Sequence, residues 1–97
     1  MFPRPEINPA FQDLAPTEPF LTPYDFTMLI AYLRLLDAAK DKANWKEVAR
    51  IVLHHDPDTD PARTRRCWKS HLERAEWMTH TGYRLLLASG AQWPQYH

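Results

Sequence analysis

Proline placement sets the first limit on what this chain can fold into. Six of the nine prolines fall within residues 1–23, and a proline inside a helix removes a backbone donor and clashes with the preceding turn. We therefore predict that residues 1–22 form an extended arm, anchored by apolar side chains either on the chain's own domain or on a partner. Those side chains are Phe2, Phe11, Leu14, Phe20 and Leu21.

The first helix is predicted to begin at Pro23, where Thr22 can cap it and Asp25 completes a capping box. Apolar residues then recur at helical spacing in two adjoining stripes. The stripe expected to face the core is Phe26, Leu29, Ile30, Leu33 and Leu36, and the second is Met28, Tyr32 and Leu35. So wide an apolar arc indicates a helix sandwiched between other elements, or one that offers a docking surface.

Two further helices and a long connection are predicted next. Asn44 can cap the second helix with Glu47 as its reciprocal partner, Asp60 can cap the third before Pro61, and Gly82 is predicted to end it. The intervening "HHDPDTDPA" is richer in proline and aspartate, and longer, than a tight helix-turn-helix connection. A short closing helix is expected at "YRLLLASG".

No strand pattern competes with these helices, so the predicted fold is all-α. We expect a small helix-turn-helix-like bundle with an extended turn over residues 23–90, preceded by the arm and followed by a tail over residues 91–97. At 97 residues the chain has room for one core.

Composition argues against several classes of protein. Twelve Lys and Arg balance twelve Asp and Glu, so a generic, strongly basic nucleic-acid binder is not indicated. No apolar run approaches the roughly 20 residues that span a membrane, and the N-terminus lacks the pattern of a signal peptide. The single Cys67 cannot form an internal disulfide and suits a reducing compartment. A cytoplasmic location is expected.

The sequence offers little that could support catalysis. It contains no Gly-rich phosphate loop and no nucleophile elbow. Cys67 and His71 have a spacing that could bind zinc, with His54 and His55 upstream, but a structural site needs four converging ligands. We predict no enzyme, no metal, no cofactor and no small-molecule ligand.

Positive charge is concentrated at the start of the third helix. Residues 61–75 contain five basic residues and one acidic residue, whereas residues 1–30 contain one basic and four acidic residues. A recognition helix in the major groove uses its N-terminal residues for base edges, and arginine and lysine are the commonest contacts of guanine and phosphate. The candidate DNA-contacting residues are Arg63, Arg65, Arg66, Lys69 and Ser70.

The most specific stretch is "RAEWMTHTGYRLLL", over residues 74–87. Its pattern is carried by Arg74, Ala75, Trp77, Met78, Gly82, Tyr83, Arg84, Leu86 and Leu87. Together with "WKEVARIVL" it resembles the extended-turn helix-turn-helix variants of proteobacterial integrative and conjugative elements, over about residues 24–88. In that family, FseA-like activators add an N-terminal domain and bind DNA, whereas QseM-like antiactivators stand alone and occupy the activator.

About 22 residues precede the first helix, so the chain resembles the stand-alone, QseM-like members. The resemblance implies an antiactivator that binds an FseA-like or LuxR-type activator of quorum-sensing-linked conjugative transfer. It would compete for the activator's interdomain docking surface, and Met28, Tyr32 and Leu35 are the expected contacts. DNA binding by the third helix is the alternative, because this helix keeps basic residues where an antiactivator is expected to be negative.

Overall fold

The structure, a computed structural model, describes residues 3–88 apart from the side chain of Leu86. Residues 3–22 form the extended arm that the prolines predict, and it packs on the chain's own helices. The backbone N–H of Glu6 donates to the Thr27 carbonyl (3.1 Å), and that of Gln12 donates to Tyr24 Oη (3.0 Å). The predicted anchor Phe2, the helix end at Gly90 and the tail over residues 91–97 lie outside the described residues.

Helices follow the arm through the rest of the described chain. They are α1 (Pro23–Thr27), α2 (Leu29–Lys40), α3 (Trp45–Ile51), α4 (Pro61–Trp77) and α5 (Tyr83–Ala88), with a π-helical turn over Met78–Gly82 between the last two. Residues 3–88 contain no strand. The predicted all-α, helix-turn-helix-like bundle is therefore confirmed. Within these residues, no helix has the length and apolar character that crossing a membrane requires.

The predicted helix starts form because their capping side chains satisfy free backbone donors. Thr22 and Asp25 form the complete capping box of α1. Asn44 Oδ1 accepts from Lys46 N (2.8 Å) at the start of α3, and Asp60 Oδ1 accepts from Arg63 N (3.2 Å) at the start of α4. Glu47 was predicted to be the reciprocal capping partner of Asn44, but its carboxylate instead accepts from Arg50 Nη1 (2.8 Å).

Residues 52–60 connect α3 to α4 and form the extended turn. Asp56 organises it by accepting hydrogen bonds from the Asp58 backbone N–H (2.9 Å) and from Thr59 Oγ1 (2.7 Å). The His55 N–H donates back to the Ala49 carbonyl (3.0 Å), which keeps the turn close to the end of α3. Pro57, within the turn, is fully buried. The turn is thus long but tied to its helices at several points.

The core lies between α2, α3 and α4, and it contains the stripe that the sequence assigned to a docking surface. Met28 and Tyr32 are 0% exposed and Leu35 is 1% exposed, so these three residues do not offer a surface to a partner. The predicted exposure is wrong because α2 packs on α4 and these three residues belong to the core cluster. Ile30 and Leu33, predicted to face the core, are only half-buried.

The prediction that Gly82 ends the third predicted helix, α4, is wrong. Gly82 closes the π-helical turn, after which the chain continues directly into α5. A Cβ at this position would lie 2.7 Å from Met78 Sδ and 2.9 Å from Trp77 Cζ3. Glycine therefore suits the close packing here, because an added Cβ would displace one or both of these side chains. Its capacity for a left-handed helix end is not used here.

Candidate DNA interface on the fourth helix

The sides of α4 have different surroundings, which decide what its polar residues can do. One side faces the core through Thr64, Cys67, His71 and Ala75, all buried. A second side meets the arm. A third faces outward, and its N-terminal half carries the three exposed cations Arg65, Arg66 and Lys69, here called the basic strip.

The arm engages two of the five candidate DNA-contacting residues. Arg63 donates from Nε (3.1 Å) and Nη2 (2.7 Å) to Asp13 Oδ1, and this bond lowers the pKa of the Asp13 carboxyl. Ser70 Oγ accepts from the Ala15 backbone N–H (3.0 Å) and donates to the Cys67 carbonyl (3.1 Å). The structure therefore does not bring the five candidates together on one open surface.

The basic strip lies outside the ion pairs of the described residues, although the charge of Arg66 helps to lower the pKa of the Asp13 carboxyl. Among residues 3–88, no ion pair involves Arg65, Arg66 or Lys69. Arg65 lies over the Trp45 ring, with its Cζ 5.3 Å from the ring centroid. Three exposed cations without an ion-pair partner in residues 3–88 form a local positive field at the start of a capped helix, although the whole chain has a net charge of zero.

Trp45 joins the start of α3 to the basic strip. Its ring packs at a tilt against Trp68 of α4, with 6.0 Å between centroids, and Lys46 Nζ lies 6.0 Å from the same ring. Trp45 is half-buried. The beginning of α3 and the beginning of α4 therefore share one edge of the molecule, as the two helices of a helix-turn-helix do.

A buried arginine of α4, Arg74, connects the arm to the core. Arg74 is 4% exposed and Asp25 is 0% exposed. Arg74 donates from Nε to Asp25 Oδ1 (3.0 Å) and from Nη2 to Asp25 Oδ2 (2.7 Å). It also donates to the arm carbonyls of Glu18 (2.7 Å) and Phe20 (2.9 Å). Its guanidinium stacks on Trp77 at 3.8 Å.

The Asp25 carboxylate is charged within this core because its partners outweigh its burial. Desolvation alone would raise its pKa, but the Arg74 bond, the Thr22 N–H and the Tyr32 hydroxyl together lower it. Tyr32 Oη donates to Asp25 Oδ1 (2.9 Å), so the buried hydroxyl is also satisfied. One sequence signal could have located this arginine: Arg74 follows the buried Cys67 by two helical turns on the same side.

His71 forms a second polar link between the core and the arm. Its Nδ1 lies 2.7 Å from the Cys67 carbonyl, which can only accept, so Nδ1 carries the proton. Nε2 then accepts from the Tyr24 hydroxyl (2.7 Å), whose oxygen accepts from the Gln12 N–H. Burial lowers the pKa of His71 and raises that of Tyr24 to about 12.

This arrangement gives Cys67 and His71 a packing role in the core. Cys67 Sγ lies 3.7 Å from His71 Nδ1, and burial raises the pKa of the thiol to about 11. A thiol with a raised pKa is a poor nucleophile and a poor metal ligand. Within residues 3–88, no group of three or more His, Cys, Asp or Glu side chains is placed to hold a metal ion.

Comparison with known protein families supports the regulatory class. A family model described as "T6SS, Transcription factor, DNA binding domain" matches residues 9–88. The chain belongs to this RovC DNA-binding-domain family. The match starts inside the arm, so it includes the segment that contacts α4. The family is described as the DNA-binding domain of a transcription factor.

No curated protein was found to be similar to the chain. The family match supports a DNA-binding regulator, which was the alternative in the sequence analysis. It gives no support to a QseM-like antiactivator, to conjugative transfer or to quorum sensing. The burial of Met28, Tyr32 and Leu35 also removes the docking face on which the antiactivator prediction rested.

Proposed function

We propose that this chain is a transcriptional regulator that binds double-stranded DNA in the major groove through the basic strip of α4. One observation carries the proposal: Arg65, Arg66 and Lys69 are exposed, without an ion-pair partner in residues 3–88, and adjacent at the start of a long capped helix. Membership of a transcription-factor DNA-binding family supports the same conclusion.

The length and position of α4 suit this role. It has 17 residues, or about 25 Å at 1.5 Å per residue, and the major groove admits an α-helix. In helix-turn-helix proteins the N-terminal part of the second helix contacts bases while the first helix crosses the backbone. Here α4 is the second helix and α3 the first, and the basic strip occupies the N-terminal half of α4.

The arm limits the interface to part of the predicted residue set. Arg63 and Ser70 are hydrogen-bonded to arm residues, so the proposed contacts are Arg65, Arg66 and Lys69. Glu73 and Glu76 follow on the exposed side of α4 and would repel phosphates there. The proposed footprint is accordingly the first half of the helix.

Salt dependence gives the test a quantitative form. If the three cations each neutralise one phosphate, log affinity should fall with log salt at a slope of about −2.7, or about 40-fold between 50 and 200 mM salt. We expect this from fluorescence anisotropy of the purified chain with a labelled duplex of random sequence. A titration without binding at low salt would refute the proposal.

Single-residue variants test where the DNA contacts lie. Removing one contact, by Arg66→Ala or Lys69→Ala, should reduce the slope by about 0.9. The matched control is Arg84→Ala, an exposed cation on α5 beyond the other end of α4. It should change neither the affinity nor the slope. Equal effects of all three variants would place the DNA contact elsewhere.

A further inference from the structure

One of the three cations in the basic strip differs from the others in how it is held. The Arg65 guanidinium lies 5.3 Å from the centroid of the Trp45 ring, and Trp45 is itself packed against Trp68. Arg66 and Lys69 have no ring contact and no side-chain hydrogen bond in residues 3–88, and both are exposed. The strip therefore contains one supported arginine and two unsupported cations.

Support by an aromatic ring changes what an arginine can recognise. A guanidinium is planar and carries its five N–H donors in that plane, so stacking on a ring leaves the donor edge free. A side chain already held near its bound position loses less conformational entropy when it binds. A fixed donor edge matches the paired N7 and O6 acceptors of guanine in the major groove, which arginine contacts more often than any other specific target.

Unsupported cations suit a different target. Phosphates surround the groove, and contacts to them carry no sequence information, so a mobile ammonium or guanidinium can find one at little geometric cost. Lys46 also lies near the Trp45 ring, at 6.0 Å, but an ammonium is a point charge that cannot form the paired in-plane contact. Among these cations, only Arg65 combines the donor geometry with the support.

We propose that Arg65 is the sequence-determining residue of the interface, that it recognises a guanine of the DNA site, and that Trp45 is the positioning residue that holds it. At the specific site, Arg66 and Lys69 then supply phosphate contacts that are independent of sequence, whereas on a duplex of random sequence Arg65 contacts a phosphate as they do. The proposal rests on the proposed DNA binding by α4 and adds the base that is recognised and the residue that orients the contact.

The experiment is selection of bound duplexes from a random library, carried out in parallel with the unmodified chain and with Arg65→Ala, Arg66→Ala, Trp45→Phe and Trp45→Leu. The unmodified chain should enrich a motif with an invariant guanine. Arg65→Ala should lose the preference for that guanine by about 5- to 150-fold while the remaining motif is kept. Arg66→Ala should weaken binding to all sequences equally.

The positioning role proposed for Trp45 is tested by a measurement that a purely structural role would not change. Trp45→Leu keeps every charge, so the salt slope should stay the same while the guanine preference falls, and Trp45→Phe should restore most of that preference. Circular dichroism checks the fold. If Trp45→Leu does not fold, the test is the comparison of Trp45→Phe with the unmodified chain. Phenylalanine keeps an aromatic ring, so complete loss of the guanine preference in this folded variant would contradict the role of the ring.

The outcomes separate the two proposals. If the unmodified chain binds no duplex at low salt, DNA binding itself is refuted. If it binds and Arg65→Ala enriches the same motif with the same guanine, only the assignment of Arg65 is overturned. If Arg65→Ala loses the guanine while both Trp45 variants keep it, Arg65 recognises the base without help from Trp45.

Discussion

The replacement Arg74→Met tests what fixes the arm to the helical bundle. Methionine keeps much of the unbranched aliphatic chain but removes the five guanidinium donors. Arg74 makes two hydrogen bonds to the buried Asp25 carboxylate and two to arm carbonyls, those of Glu18 and Phe20. The variant would leave a carboxylate that is 0% exposed without its cation.

The expected cost is large relative to the stability of a domain of this size. Removing one partner of a buried ion pair costs about 3–5 kcal/mol, against a total of about 5–15 kcal/mol for a typical domain. Asp25 keeps the hydrogen bonds from Tyr32 and Thr22, so we expect a value near the lower limit, about 3 kcal/mol. With a urea m-value of about 1–3 kcal/mol per molar, the unfolding midpoint falls by about 1–3 M.

A matched control is built into the same helix. Arg63 forms the same kind of pair with an arm residue, Asp13, but the two side chains are 55% and 56% exposed. Exposed ion pairs contribute little because water screens them, so Arg63→Met should leave the urea midpoint nearly unchanged. Urea denaturation followed by circular dichroism measures both variants. A midpoint shift in Arg74→Met no larger than that in Arg63→Met would refute the anchoring role of the buried pair.

Three further predictions follow from single contacts. Gly82→Ala should destabilise the fold by about 1 kcal/mol, measured in a thermal or urea melt. A Cβ placed 2.7 Å from Met78 Sδ costs about 1–3 kcal/mol of overpacking, whereas the higher helix propensity of alanine contributes about 1 kcal/mol. Asp13→Asn should release Arg63 and raise affinity for a random duplex by about two- to fivefold, with a steeper salt slope, in the anisotropy assay. The pKa of Asp25 is lowered in the folded state, so its contribution to stability is complete above about pH 4 and is lost as the pH falls further. The urea midpoint should therefore be lower at about pH 3 than at about pH 5. Asp25→Asn should remove the share of this decrease that is due to the carboxyl of Asp25.

The parts of the fold that depend on neighbouring residues could be predicted from the sequence. The caps at Thr22, Asn44 and Asp60 were predicted correctly because a capping side chain bonds to a backbone N–H two or three residues away. The extended arm was predicted correctly because proline restricts its own backbone. The same local logic failed at Gly82, where the deciding contact is with Met78 and Trp77 and not with the glycine's own backbone.

The parts that depend on distant residues could not be predicted. Both apolar stripes of the first predicted helix are suitable for a core, and only the position of α4 decides that Met28 and Tyr32 are buried while Ile30 stays half-exposed. The burial of Arg74 could not be predicted, because arginine is rarely buried without a partner. Its partner, Asp25, lies 49 residues away in the sequence, and no spacing rule connects them.

The candidate DNA interface stays a prediction, and the structure narrows the residues proposed for it. Charge placed it at the start of α4, but the sequence could not separate Arg63 and Ser70 from their neighbours, because the arm that engages them is remote in sequence. The contribution of Trp45 was also missed. A ring at the start of α3 supports an arginine 20 residues later only because the extended turn brings the two helix starts together.

The arm therefore determines which side of α4 is available to DNA. Arg63, Ser70 and Arg74 lie along one side of the helix, and all three are bonded to arm residues between Asp13 and Phe20. This leaves the N-terminal half of the outward side, with Arg65, Arg66 and Lys69, as a cationic surface without ion pairs in residues 3–88. Since the buried Arg74 anchors the arm and the exposed Arg63 does not, neutralising Asp13 should change DNA affinity without loosening the fold. Breaking the Arg74 pair should loosen the arm and widen the charged surface together.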